Sequence, residues 1–207
     1  MKAVLILVTL FHSFESLAYT PKEDQAVKYY ISTFMVNRFL DYSQEQFYGP
    51  AGKSPKNEKD LLALCSPENA DMRQMGENLE DKKNVYNKAK TDKSILQALF
   101  HEQPGLGLNP EPSEIIRFAN QLFDAQKNPS IYGFCDLQGR EQGKNCIKRD
   151  DSCPQAAAKM NNGFKVFASR TNVLKLDIST FCKQFFQTWI NGQAQAIAEL
   201  KMCRRDK

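Results

Sequence analysis

Residues 178–203 read ISTFCKQFFQTWINGQAQAIAELKMC, and the phase of this run decides the architecture. At a helical advance of about 100° per residue, Ile178, Phe181, Cys182, Phe185, Phe186, Trp189, Ala196, Ile197, Leu200 and Cys203 gather on one side. Lys183, Gln184, Gln187, Thr188, Asn191, Gln195 and Lys201 gather on the other. The apolar phase continues through Asn191-Gly192, which predicts one helix of about 26 residues, roughly 39 Å long. A hairpin folded at Asn191-Gly192 is the alternative. A rod of that length spans a small domain, so the other segments are expected to be arranged to cover it.

The cysteines follow from the same helix. Six are present, at Cys65, Cys135, Cys146, Cys153, Cys182 and Cys203. An even number in an exported chain points to three disulfides. In a continuous helix Cys182 and Cys203 stand about 32 Å apart, whereas a disulfide needs Cα atoms within about 7 Å. Each should therefore tie the helix to a different part of the chain.

Export is expected from the first residues, MKAVLILVTLFHSFESLAYT. Lys2 precedes an apolar run from Ala3 to Phe11, and Ser16-Leu17-Ala18 has the small-x-small form of a signal-peptidase site. Residues 1–18 read as a signal peptide cut after Ala18. The apolar core of about nine residues is too short for a spanning helix, which needs about 20, and no later segment is long and apolar enough to cross a membrane. No Asn-x-Ser/Thr acceptor occurs in the remainder, a hint of a bacterial origin. The expected location is secreted or periplasmic.

Residues 19–207 are expected to form a single helical domain. Thr20-Pro21-Lys22-Glu23 is a capping box with proline at the first helical position, so a helix should start there and stop before Gly49-Pro50. Val27, Tyr30, Ile31, Phe34 and Met35 make one apolar face, and Tyr29, Val36, Leu40 and Phe47 make another, which predicts a helix covered on both sides. Arg38, Asp41 and Glu45 continue the first stripe as a solvated charged end or the floor of a charged pocket. Gly52-Lys53-Ser54 imitates the end of a phosphate loop, but Phe47 occupies the place of the first glycine and the motif follows a helix.

Ser66-Pro67 is expected to start the next helix, with a thin stripe of Met72, Met75, Leu79 and Tyr86. After a break near residues 91–94, Ile95, Leu96, Leu99 and Phe100 predict a short buried helix ending around His101. The proline- and glycine-rich stretch 103–112 must be a loop. Ser113 is expected to cap a helix to about Lys127. Residues 130–153 change to glycine, charge and cysteine, and read as an irregular flank stapled by disulfides. Pro154 to Met160 should form a turn or two of helix, and Phe164 to Leu176, with partial alternation, is the best strand candidate. The fold class is mainly α, with at most a minor β element.

The residues limit the chemistry. Beyond the leader, His101 is the lone histidine, and there is no Gly-x-Ser-x-Gly elbow for a serine nucleophile. No metal or cofactor site is expected: histidines are too few for a zinc site, no CxxC occurs, and Asp150 and Asp151 lack the spacing of a calcium loop. A net charge of +4 is too mild to imply nucleic acid, and the lysines are mixed with acids. Phe185, Phe186 and Trp189 read as core before they read as a ligand pocket.

Ile95-Leu96-Gln97-Ala98-Leu99-Phe100-His101-Glu102 looks like the region of lysozyme-like transglycosylases in which an apolar helix ends in the catalytic glutamate. Tyr132-Gly133-Phe134-Cys135-Asp136-Leu137-Gln138 looks like their later Gly-Leu-Met-Gln stretch. The chain departs from the pattern at Pro104 and at Cys135-Asp136. The resemblance implies a cell-wall glycan hydrolase with Glu102 as general acid and Asp124, Asp136 or Glu141 as a second carboxylate. The leading expectation is instead a protein that works by binding an unidentified protein or glycan, through a surface made by the cysteine-rich flank Gly133 to Cys153, with Tyr132, Phe134, Arg140 and Lys144, together with the proline loop Pro104 to Pro112.

Overall fold

The computed structural model describes residues 19–48, 58–100, 106–107, 110–125 and 154–205, which form an all-helical structure without a strand among them. Seven α-helices follow in order: α1 (Pro21–Tyr48), α2 (Glu58–Ala63), α3 (Ala70–Ala89), α4 (Leu96–Phe100), α5 (Pro112–Ala125), α6 (Pro154–Arg170) and α7 (Ile178–Arg205). Short 3-10 turns at Lys93–Ile95 and Val173–Lys175 lead into α4 and toward α7. Buried side chains from all seven helices belong to one continuous cluster.

Helix α1 begins at its capping box. The Glu23 carboxylate accepts from the Thr20 backbone N–H at 2.7 Å, and the Thr20 hydroxyl accepts from the Glu23 N–H at 3.2 Å, so two donors with no partner inside the helix are satisfied. Lys93 donates to the same carboxylate, and this contact, followed by the bond from Thr20, holds Glu23 below the usual carboxylate range.

Beyond that cap α1 is buried on nearly every side. Val27, Ile31, Met35, Val36 and Phe39 have no exposed surface, and neither do the hydroxyl residues Ser32 and Thr33. The helix packs against α3, α5, α6 and α7, whereas α7 lies chiefly along α6. The body is therefore organised around the first helix rather than the last. The terminal helix has only one apolar stripe to bury, and α1, with two, demands cover from both directions.

Helix α7 is a single rod running straight through Asn191-Gly192. Phe181, Cys182, Phe185, Phe186 and Trp189 are fully buried, so these aromatics are core. A Cβ placed on Gly192 would sit 3.0 Å from the Met160 sulfur. The glycine thus marks a close approach of α6 to α7, where a larger residue would push Met160 aside. Cys182 lies opposite Cys65, just after α2, with Cα atoms 5.6 Å apart, at disulfide distance. The Ser179 hydroxyl donates to the Cys65 carbonyl at 2.8 Å beside it.

Several local expectations need correction. Residues 164–170 are not a strand: α6 continues to Arg170 and a 3-10 turn follows. The alternation of Phe164, Val166 and Ala168 conceals a four-residue spacing, Met160, Phe164 and Ala168, which are all buried. Ser66-Pro67 forms a turn, and Asn69 caps α3 through its side-chain oxygen, which accepts from the Asp71 N–H at 2.9 Å. Helix α5 starts at Pro112, one residue before Ser113, and the Glu114 carboxylate reaches back to the Glu111 N–H at 3.0 Å. Helix α2, whose Leu61 is fully buried, was not expected. The break after α3 and the short buried helix α4 fall where the phase change places them.

Two measurements check this packing. Closing a loop with a sequence separation of 117 limits the unfolded chain, so dithiothreitol treatment, or Cys182→Ala, should lower unfolding free energy by about 4–5 kcal/mol in urea titrations. Phe185→Ala should cost about 3–5 kcal/mol, the usual range for a buried Phe→Ala change.

Candidate functional site

The candidate site is a cleft of about 480 Å³ at the junction of α1, α5 and α6. Its position follows from how the three helices bury their apolar residues. Helix α5 turns Ile115, Ala119 and Phe123 into the core, at a spacing of four, and α6 does the same with Met160, Phe164 and Ala168. Both stripes are narrow, so the flanking residues Ile116 and Val166 are left out. Among the described residues they are the two large hydrophobic side chains that stand most open to solvent, at 39% and 37% exposure, and both line the cleft.

Helix α1 contributes Gln25, Lys28 and Tyr29 to the lining. The Tyr29 hydroxyl donates to Asn120 Oδ1 on α5 at 2.6 Å. Burial raises the Tyr29 phenol above its ordinary range, opposed by a hydrogen bond with Thr33 and reinforced by the charge of Asp124. That phenol keeps its proton and acts as a donor, which orients the Asn120 amide. Helix α6 supplies Lys165 and Arg170, and Asn172 follows in the connection to α7. The Asn172 Oδ1 atom is buried and has no hydrogen-bond partner. The Ser32 hydroxyl accounts for the neighbouring Thr171 carbonyl at 3.0 Å.

Two carboxylates pair with lysines of the lining. Asp124 pairs with Lys165 at 2.9 Å, linking α5 to α6. Asp24 accepts from Lys28 and from the Tyr86 hydroxyl on α3. Burial raises the Asp24 pKa, but those two donors outweigh it and the group is held below its usual range. Tyr86 in turn packs beneath the Lys90 ammonium, 4.6 Å from its ring centre, and against the buried Tyr19 ring, 6.1 Å away.

A second, smaller hollow of about 180 Å³ lies between α1 and α3, with Arg38, Asp41, Glu45 and Asp71 around it. Arg38, Asp41 and Glu45 are solvent-exposed, and the Arg38 guanidinium lies 5.5 Å from the Phe34 ring centre. Partial burial raises Asp41 against the pull of Arg38. These charges therefore form an open rim around a small depression. Among the described residues, no group of three or more His, Cys, Asp or Glu is placed to hold a metal ion.

Most of the sequence-derived site residues lie outside the described residues: Glu102, Tyr132, Phe134, Asp136, Arg140, Glu141 and Lys144, residues 104–105 and 108–109 of the proline loop, and Cys135, Cys146 and Cys153. The Cys203 side chain is also outside them. Asp124, considered as a second carboxylate, is an exposed partner of Lys165. Sequence reading missed the cleft. Its signal was there in Ile116 and Val166, which lie off the stripes of their helices, but nothing in one dimension brings the two together.

The lowered Asp24 pKa makes a pH prediction with a definite sign. The unfolded chain binds this proton more readily than the folded one, so the contribution is complete above the ordinary value of 3.8. It is lost as pH falls through the folded value. Asp24→Asn should destabilise by about 1.5–3 kcal/mol near neutral pH, the scale of hydrogen bonds to a charged group, and the gap from wild type should close in strong acid, read by thermal melts across pH. No family model, curated protein or solved structure matches this chain, so what the cleft does must be read from its own chemistry.

Proposed function

We propose that this chain is an exported, disulfide-stabilised helical protein that acts by binding a ligand in the cleft between α1, α5 and α6. The observation that carries the reading is the cleft itself, with two exposed apolar side chains and several polar groups converging on one concave surface. Its volume of about 480 Å³ falls within the range of about 300–1,000 Å³ usual for small-molecule sites. The walls are helices fixed by a shared core, and such support holds a site in shape before its ligand arrives.

Export is supported by the leader-like first 18 residues, by the start of α1 directly after the expected cut, and by Cys65 and Cys182 at disulfide distance. No described helix is long and apolar enough to cross a membrane. The cysteine-rich stretch 130–153, with Tyr132, Phe134, Arg140 and Lys144, lies between α5 and α6 along the chain, the two helices that wall the cleft. It remains part of the proposed binding surface.

A thermal-shift panel of small acids, amines, sugars and amphiphiles tests the reading. At a hundredfold excess over Kd, a ligand should raise the melting temperature by about 5 °C or more. Val166→Asp, at an exposed position, should leave the unliganded melting temperature nearly unchanged and abolish that rise. A panel without effect, or a rise that survives in the variant, would remove the cleft as the binding site.

A further inference from the structure

The cleft carries charge and hydrogen-bonding groups that narrow the chemistry of its ligand. Lys28, Lys165 and Arg170 line it, and no carboxylate of the described residues does. Asp24 and Asp124 pair with the two lysines and partly neutralise them, so Arg170 leaves the lining with a net positive charge. Low-dielectric walls concentrate such a field within a concave surface.

The polar neutral groups are oriented as well. Because the Tyr29 hydroxyl donates to Asn120 Oδ1, the Asn120 amide nitrogen keeps its N–H groups for donation, a second feature that suits an anion. Asn172 Oδ1 has the opposite requirement. It is a buried acceptor without a donor, a condition that costs free energy until an N–H or O–H reaches it. Ile116 and Val166 complete the surface with exposed hydrocarbon.

We infer that the cleft selects a small amphiphilic carboxylate that also bears an N–H or O–H donor. The carboxylate meets Arg170, Lys165 and the Asn120 amide. The Asn172 side chain, part of the lining, turns to bring its buried Oδ1 to the ligand's donor, and the ligand's hydrocarbon covers Ile116 and Val166. This inference rests on the cleft being the binding site and adds the chemical class of the ligand.

The test uses the full exported chain and calorimetric titration with four probes below their micellar concentrations: N-octanoylglycine, octanoate, octyltrimethylammonium and octanol. N-octanoylglycine, which carries carboxylate, amide N–H and chain together, should bind at least tenfold tighter than octyltrimethylammonium and severalfold tighter than octanoate. Arg170→Glu should weaken N-octanoylglycine about tenfold, with Arg170→Lys retaining most of the affinity. Arg170 is exposed, so both variants should fold, as circular dichroism would verify.

Equal or tighter binding of octyltrimethylammonium or octanol, lost in Val166→Asp but indifferent to Arg170→Glu, would overturn the carboxylate assignment while leaving the cleft as a binding site. Octanoate equalling N-octanoylglycine would overturn the donor requirement at Asn172. If none of the four probes bound wild type at millimolar concentration, the inference would fall together with the reading of the cleft beneath it.

Discussion

The contact between Phe39 and the paired rings of the last helix holds the two ends of the chain together. Phe39 on α1 lies 5.4 Å from Phe181 and 5.3 Å from Phe185, centre to centre. Phe164 and Phe167 of α6 bring the third helix in, at 5.4 Å from Phe185 and Phe181 respectively. Each ring buries a large apolar area, and tilted or stacked arrangements add to that burial. With α6 and α7 seated on this side of α1, only the remaining faces are open to α3 and α5. The position of α5, and therefore of the cleft, is a consequence of where the aromatic rings go.

The cysteine pair reinforces the same geometry at the same end of α7. Cys65 leaves α2 and meets Cys182 one residue after Phe181, so the segment before α3 is tied to the part of α7 that carries the ring cluster. The Tyr42 hydroxyl donates to the Leu64 carbonyl at 3.0 Å and accepts from the Asn69 amide at 2.9 Å. Burial, ahead of the charge of Asp71, pushes that phenol up to about 12. A protonated phenol thus pins the turn around Cys65 to α1, which places the sulfur without calling on the turn's own weak helix propensity.

The legible parts of the fold were those where one local signal decided the outcome. Thr20 and Glu23 could form their reciprocal bonds whatever happened elsewhere, so the start of α1 could be read directly. The apolar phase across Asn191-Gly192 likewise decided for one rod, because a glycine costs a helix only about 1 kcal/mol, less than the buried aromatics return. Where two local signals competed, reading failed. Ser66-Pro67 and Asn69 are both acceptable starts for α3, and only the fit of Met72 and Met75 against the core selects Asn69. In α6 the alternation of Phe164, Val166 and Ala168 satisfied a strand template, while Met160 four residues earlier satisfied a helix. Packing against α7 decided between them.

The site was less legible than the fold because its decisive residues are ones that break their helices' patterns. Singly, an exposed isoleucine or valine is ordinary surface and needs no explanation. Rotating α5 by one residue to bury Ile116 would expose Ile115, and a similar rotation of α6 for Val166 would draw Phe164 away from Phe185. The core thus forbids both from turning fully inward, and leaving about two-fifths of each exposed forgoes roughly 1 kcal/mol of burial. Two such residues lining one concave surface, beside a hydrogen-bond acceptor left without a donor, form a surface whose apolar and polar needs are both unmet by the chain itself. A ligand with hydrocarbon at one end and a donor beside its charge meets them together.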